Sequence, residues 1–558
     1  MQLLECVPNF SEGRNLAIIK EITSDIESID EVKLLDVDSG YDANRTVVTF
    51  VGPPEMVIKA AFKAIKKASE LIDMNKHSGT HSRMGATDVC PLVPIKNITL
   101  KETIAWSEKL ARKVSEELEI PIFLYEASAR SKSRENLANI RAGEFEGLDE
   151  KIRLPEWKPD YGNIRKHETA GATAIGARKF LIAYNINLNT KDKKIATDIA
   201  LDIRENGRFK RDKYGNVVRS DDGTIIRVPG KLKSCKAVGW YIDEYKQAQI
   251  SMNLTDYTIT SPHMAFEECR KQARKRGVRV TGSELVGLIP LDAILDIGKY
   301  YLKSQKRSEG VPDSEIINIA IKSLGLDEIE EFIPQKKIIE FQIDEKHNRL
   351  SSKSVSEFAD ELSSESPAPG GGSVAALLGA MGASLSSMVS NLTIGKKQFK
   401  HKYNQMNSIA VKCQALKKEF IHLIDKDTDA FNNVMNAFRL PKKTDIQNQL
   451  RESKIQEMTK IASLVPFEVL ENCFKGLEIS LLVSKKGNLN SITDAGVASE
   501  SFMAGANSAY LNILINLKDI DDQNFTSKIK LKANKILTNC EKFHHDVKTL
   551  IDKKLLED

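Results

Sequence analysis

The chain has 558 residues, too many for one hydrophobic core, and predicts two to four domains. Its 41% apolar and 28% charged composition excludes a disordered chain, and a net charge of +5 makes no general case for nucleic acid. Seven cysteines stand singly, without CxxC or zinc-finger spacing, so reduced thiols in a cytoplasmic protein are expected, with no metal site.

Residues 1–8 lack the basic start and long apolar core of a signal peptide. Strands over 3–7 and 32–37 flank a helix that starts near Arg14 and carries Ile18, Ile19, Ile22 and Ile26. A strand over 47–51 ends at Pro53-Pro54, and a helix with Met56, Ile58, Ala61 and Ile65 follows, which is an α/β alternation. Asp36, Asp38, Asp42, Asn44 and Arg45 follow a strand end, where open α/β sheets keep their sites; a solvated turn fits them equally well.

The densest chemistry lies in 77–91, which holds His77, Gly79, Thr80, His81, Arg83, Gly85 and Asp88. Histidine ionises near neutrality and suits proton transfer, while Arg83 offers a planar fork to a carboxylate. Taken alone the segment is a candidate only, because loop histidines are commonly packing or surface residues. A helix over 101–118 and a strand over 122–125 come next. A polar loop from Trp157 then runs through Tyr161, Arg165 and His167 to Gly171, an aromatic content that favours a stacking surface over a linker.

The strand over 180–188 and the helix over 193–205 open a second α/β unit. Residues 210–231 read as a surface insertion of hairpin turns. Strands over 238–241, 249–254 and 282–290 and a helix over 262–276 complete the unit, and 338–343 reads as a last short strand. The stretch 344–352 is the most linker-like in the chain. Beyond it every period is helical. The expected domains are α/β subdomains over 1–178 and 179–328, a linker over 329–355 and an all-α bundle over 356–558.

Pro367 leads into Gly370, Gly371 and Gly372 ahead of a helix, a ready anion site of free backbone N–H groups. No Lys-Ser/Thr pair follows, which argues against a nucleotide P-loop. The low-charge run 374–389 is about sixteen residues, short of the roughly twenty needed to span a bilayer. Further on, at about 100° per residue, Asp427 falls within the apolar stripe of Leu416, Phe420, Leu423, Ile424 and Phe431. Asp425 and Asp429 share the other side, and an inward carboxylate marks a candidate site.

Several ordered strings carry a resemblance. They are 5–13 (Glu-Cys-Val-Pro-Asn-Phe-Ser-Glu-Gly), Asn44-Arg45-Thr46, Val51-Gly52-Pro53-Pro54, 81–91 with its Arg83-Met84-Gly85, and 171–180. Leu285-Val286-Gly287-Leu288, 368–375, Arg439-Leu440-Pro441-Lys442 and Leu514-Ile515-Asn516-Leu517 follow in order. Together they resemble the formimidoyltransferase-cyclodeaminase family along nearly the whole chain.

The resemblance implies transfer of the formimino group from N-formimino-L-glutamate to N5 of tetrahydrofolate. It also implies closure to 5,10-methenyl-tetrahydrofolate with release of ammonia, as in histidine breakdown. It places the transferase histidine at His81 and the cyclodeaminase aspartate at Asp425. The implied folate loop is Asp160, Tyr161, Gly162, Asn163, Ile164, Arg165, Lys166, His167, Glu168 and Thr169. On this reading Asp38 stabilises the cationic amidine, Asn44 joins the substrate site, and Arg45 and Arg83 hold glutamate carboxylates. Tetrahydrofolate is a co-substrate, with or without a polyglutamate tail, and ring-like homo-oligomers are implied. Lys396, Lys397 and Lys400 suit such a tail or plain solvent. The helical wheel favours Asp427 and the resemblance Asp425, which is ranked first. The alternatives are a transferase alone, with the helical domain serving assembly or acting as a methenyl-tetrahydrofolate cyclohydrolase, and a non-catalytic folate scaffold.

Overall fold

A computed structural model describes residues 2–41, 43–79, 81–343, 349–366 and 368–556; Asp42, Thr80, Pro367 and the linker residues 344–348 lie outside the described residues. The chain forms two compact units, Met1–Ile297 with Leu324–Asp344, and Gly298–Ser323 with Glu345–Asp558.

The first unit holds two sheets. Strands β1 (Leu3–Cys6), β2 (Asn9–Phe10), β3 (Lys33–Gly40), β4 (Arg45–Gly52) and β5 (Thr87–Lys96) alternate with helices α1 (Leu16–Glu27), α2 (Pro54–Leu71) and α3 (Leu100–Leu118). β6 (Ile122–Leu124), the single turns α4 (Leu137–Arg141) and α5 (Leu148–Lys151), and β7 (Thr173–Ala177) follow. β1 and β2 both lie between β4 and β5, β3 pairs outside β4, and these pairings are antiparallel; β5, β7 and β6 are mutually parallel. One face carries Leu4, Cys6, Phe50, Cys90 and Leu92 into a core with Ile22, Ile65 and Val114 of the helices. Because side chains alternate along a strand, the opposite face presents Glu5, Val7, Asn9, Asp36, Asp38, Arg45 and Thr49.

The second sheet is antiparallel, in the order β11 (Cys235–Ile242), β12 (Gln247–Leu254), β8 (Ile182–Leu188), β13 (Val280–Val286), with α6 (Lys193–Ile203) and α7 (Pro262–Lys275) packed on it. Between α6 and β11, β9 (Arg208–Phe209) and β10 (Arg227–Val228) carry the exposed hairpin turns expected over 210–231. α8 (Leu291–Ser304) and α9 (Asp313–Leu324) follow. The expected strand over 338–343 is corrected: Ile338 makes a single bridge to Ile289 between the turns α10 (Pro334–Lys337) and α11 (Ile339–Ile343). An apolar run this short does not distinguish strand from buried helix. Within the expected linker, the described residues 334–343 thus form two helical turns.

The second unit is helical: α12 (Val355–Leu362), α13 (Gly371–Ile394), α14 (Tyr403–Phe438), α15 (Asp445–Lys486), α16 (Ile492–Leu517) and α17 (Gln523–Leu556). It also takes in Gly298–Ser323, which the sequence division had placed in the second α/β subdomain. The reason is local. The Gly310 carbonyl accepts from Ser387 Oγ at 3.0 Å and Asn391 Nδ2 at 2.9 Å, and a Cβ at Gly310 would meet Ala410 at 2.3 Å.

Helix α13 is, by length and composition, apolar enough to cross a bilayer, although the sequence run looked too short. Its small residues are what the bundle uses, since Gly372, Ala375, Ala376, Gly379, Ala380 and Ala383 are buried against α14 and α16. It is a core helix. Rings fill the space the glycines leave: a Cβ at Gly379 would meet Phe420 at 2.3 Å, and one at Gly476 would meet Phe502 at 2.3 Å. Gly476→Ala should therefore lower the urea midpoint of the helical transition, by about 1–3 kcal/mol of overpacking, despite alanine's better helix propensity. An unchanged or higher midpoint would show that the ring gives way freely.

Candidate active sites

The polar face of the first sheet lines a cleft of about 520 Å³. The opposite wall comes from the second sheet, whose Lys236, Asn253, Ala183 and Val286 form one cross-strand row. His81, Tyr125, Arg141 and Arg178 close the cleft. The site is thus a sheet face rather than a loop beyond strand ends. β3 runs on through Asp36 and Asp38 to Gly40, so these residues belong to a strand, not a turn. Burial and the neighbouring Asp38 raise the Asp36 pKa.

His81 Nδ1–H donates to the Ser82 carbonyl at 2.7 Å, a tautomer assigned from its partners, which leaves Nε2 to accept from Arg45 Nη1 at 2.7 Å. Desolvation, then the charges of Arg45 and Arg141, lower the His81 pKa, so the ring is a neutral base at pH 7. Arg45 is itself half-buried, and desolvation and the Arg141 charge lower its pKa. Arg141 is held by Asp88, whose other oxygen accepts from Met84 N at 2.9 Å, while Arg141 Nε is buried without an acceptor among the described residues. Two guanidiniums sharing one cleft make a place for an anion. Gly85 lets this turn approach the neighbouring chain, since a Cβ there would meet the Ala172 carbonyl at 2.1 Å.

Three expected binding groups are hydrogen-bonded to other residues of the scaffold. Arg83 does not line the cleft. Its guanidinium bonds Glu144 at 2.6 Å and Glu146 at 2.6 and 2.9 Å, and its Nε donates to His77 Nδ1 at 3.1 Å. His77 Nε2 then donates to the Asn44 carbonyl at 2.9 Å. Asn44 has φ +47°; its side chain accepts from Gly13 N and donates to the Ser78 carbonyl, both at 3.0 Å. Asp160, its side chain 4% exposed, accepts from Leu124 N at 2.8 Å and Arg134 Nη1 at 2.7 Å. Sequence proximity to His81 had suggested that Arg83 shares its task, but the side chain turns away.

None of the residues 160–169 lines the cleft. Tyr161 accepts from Arg130 at 2.9 Å, and Lys166 lies 3.9 Å from the centre of the Phe145 ring. His167 Nδ1 accepts from Ala170 N at 3.0 Å, and the Thr169 carbonyl from Met74 N at 2.9 Å. Gly162, Asn163, Ile164, Arg165 and Glu168 are exposed. Among the cleft residues, Glu5, Arg141, Arg178 and Lys236 carry charge that the sequence reading missed. A glutamate within the otherwise apolar strand Leu3–Cys6 was the signal for Glu5.

In the helical unit the two aspartates have different surroundings. Asp425 accepts from Ser351 N at 3.0 Å and Ser351 Oγ at 2.6 Å, so both oxygens fasten the segment ahead of α12. Asp427 meets the first turn of α13, where it accepts from Ser373 Oγ at 3.0 Å. Burial raises its pKa, against the opposing hydrogen bonds from Ser373. A Cβ at Gly372 would lie 2.1 Å from the Asp427 carboxylate, and one at Gly371 would lie 3.1 Å from Asn512. The helix N-terminus expected to receive a ligand anion through Gly370, Gly371 and Gly372 thus already faces an internal carboxylate. Lys396, Lys397 and Lys400 are exposed.

Three family models match in order: the N-terminal subdomain of the formiminotransferase domain over residues 3–178, the formiminotransferase domain over 183–344, and formiminotransferase-cyclodeaminase over 354–535. The chain is 40% identical over 539 residues to the formimidoyltransferase-cyclodeaminase of Rattus norvegicus, covering 96% of each. It is 45% identical over 302 residues to a glutamate formimidoyltransferase of Streptococcus pyogenes, covering 54% of this chain and 94% of that one. A methenyltetrahydrofolate cyclohydrolase of Methylorubrum extorquens is 42% identical over 177 residues, 32% of this chain and 85% of that one. With every domain matched in order and near-complete coverage of a relative, the chain belongs to the formimidoyltransferase-cyclodeaminase family.

Proposed function

We propose that the chain carries out two successive reactions. The first unit moves the formimino group from N-formimino-L-glutamate to N5 of tetrahydrofolate. The second closes the product to 5,10-methenyl-tetrahydrofolate and releases ammonia. The observation that carries the first step is the neutral His81 beside two guanidiniums. A substrate carboxylate draws Arg45 and Arg141 toward itself, and Nε2 loses its donor. The freed lone pair takes the N5 proton as N5 attacks the amidine carbon. The C–N bond to glutamate then breaks, and His81 returns that proton to the departing nitrogen. Asp38 faces the cationic amidine from the cleft wall. The exposed Asn163 and Arg165 are retained as folate contacts of the 160–169 loop.

For ring closure we place Asp427 ahead of Asp425, reversing the order that the resemblance implied. Asp425 is occupied by Ser351, whereas Asp427 is the carboxyl whose burial favours the protonated form. N10 attacks the formimino carbon, the former amidine nitrogen leaves as ammonia, and Asp427 carries the N10 proton to it. The same methenyl product is the substrate named for that cyclohydrolase relative, which accounts for its likeness without requiring its reaction here. A homo-oligomer belongs to this proposal, as does acceptance of polyglutamylated folate.

His81→Ala should cut transfer by about 10²–10⁴-fold while 5-formimino-tetrahydrofolate supplied directly is still closed; full transfer by a folded variant would remove His81 from the mechanism. Because the His81 pKa is lowered, activity should fall with decreasing pH only below the ordinary histidine value of 6.5. A kcat/KM acid limb at or above that pH contradicts a neutral His81. Asp427→Asn should abolish appearance of the methenyl chromophore, and Asp425→Asn should keep most of it. The reverse pattern restores Asp425 as the proton carrier.

A further inference from the structure

The first turn of α13 receives the Asp427 carboxylate through two consecutive residues. A Cβ at Gly372 would lie 2.1 Å from Oδ1 and 2.6 Å from Oδ2, so any side chain there would have to push the carboxylate away. The next residue, Ser373, is 0% exposed, and its Oγ donates to Oδ2 at 3.0 Å. The same hydroxyl lies 3.3 Å from the Ile424 carbonyl and 3.4 Å from Thr428 Oγ1, both on α14 beside Asp427. Of these three the carboxylate is the nearest and, when ionised, the charged acceptor, so the hydroxyl hydrogen goes to it. The Thr428 hydroxyl is then free to donate to Ser373 Oγ.

Ring closure asks two things of one carboxyl, which takes a proton from N10 and then gives it to the departing nitrogen. A carboxyl that turned between the two steps would deliver its proton elsewhere. A donor bound to one oxygen prevents the turn in both states, because an ionised carboxylate and the carbonyl oxygen of a protonated one both accept. Ser373 supplies that donor. The charged neighbours on α14 are engaged or exposed: Lys426 pairs with Glu468 of α15 at 2.6 Å, Asp425 is bonded to Ser351, and Asp429 faces solvent. The first turn of α13 holds no ionisable side chain, and α16 brings the neutral Asn512 to Gly371. Burial and the hydrogen bonds of Ser373 are accordingly what act on the Asp427 pKa.

Resting on the reading of Asp427 as the proton carrier of ring closure, we propose that Ser373 is its positioning residue: the hydroxyl holds Oδ2 throughout the reaction and leaves Oδ1 to take the N10 proton and pass it on. The bond from N10 to the formimino carbon forms, the bond from that carbon to the former amidine nitrogen breaks, and the proton leaves with ammonia. The Ser373 proton stays where it is. Because Ser373 is fully buried, its loss acts on the chemical step and not on folate binding.

The test uses the full-length protein with 5-formimino-tetrahydrofolate supplied directly. Ser373→Ala should lower kcat for the methenyl product by about ten- to a hundredfold, with its KM and the rate of formimino transfer unchanged. Loss of a donor to the ionised carboxylate should also move the acid limb of kcat/KM for closure to higher pH. Ser373→Thr, which keeps the hydroxyl, should restore both. An unchanged kcat in Ser373→Ala would overturn the proposal while leaving Asp427 in its role. So would a fall in kcat with an unmoved acid limb, which is what loosened packing alone would give, or a folded Ser373→Thr that behaves as the alanine variant does. Full closure by a folded Asp427→Asn would remove the parent reading, and this proposal with it.

Discussion

Alternation of side chains along β1, β3, β4 and β5 decides what the first unit can do. Leu4, Cys6, Phe50, Cys90 and Leu92 enter the helix-covered core, which commits Glu5, Val7, Asp36, Asp38, Arg45 and Thr49 to the other side. A slip of one residue in any of these strands would turn carboxylates into the core and apolar groups into the cleft. Stability and function are therefore held by the same register. The core contacts fix the strands, and the fixed strands present charge at set intervals to a second sheet whose Lys236, Asn253, Ala183 and Val286 lie in one row.

The cleft concentrates charge that its own scaffold does not neutralise. Arg83, His77 and Asn44 are bonded into the framework and hold the turn that carries His81, while Asp160 joins β6 to Arg134. Arg45 and Arg141 share the cleft, and the buried Arg141 Nε has no acceptor among the described residues, which gives a substrate bearing carboxylates something to complete. The helical unit works on another principle. Glycine and alanine on α13 let α14 approach closely enough for Asp427 to sit against the first turn of that helix. Small residues there bring a carboxyl into a place where burial raises its pKa.

Much of this was legible in the sequence where local periodicity decides the outcome. The strand–helix alternation, the all-helical region beyond 355 and the inward position of Asp427 follow from repeat lengths alone. His81 was legible from its residue type and its ordered neighbours. The partners of Arg83 were not, because a side chain six residues from His77 can point either way, and Glu144 and Glu146, to which it bonds, are some sixty residues on. Arg141 and Arg178 reach the cleft through tertiary folding that no spacing encodes. Glu5 was the readable clue left unread: an acid inside an apolar strand implies a partner, though not which one. The 338–343 segment misled because a short apolar run suits both helix and strand.

Passage of one carbon through two sites on this chain is tested most directly by isotope transfer. With formiminoglutamate labelled with ¹³C at the formimino carbon and unlabelled tetrahydrofolate, NMR should show the label leaving the glutamate nitrogen, appearing at N5 and ending in the 5,10-methenyl bridge. Glutamate and ammonia should be released in equal amounts. Label that accumulates at N5 with glutamate released but no ammonia would contradict the second reaction, and label that never leaves glutamate would contradict both.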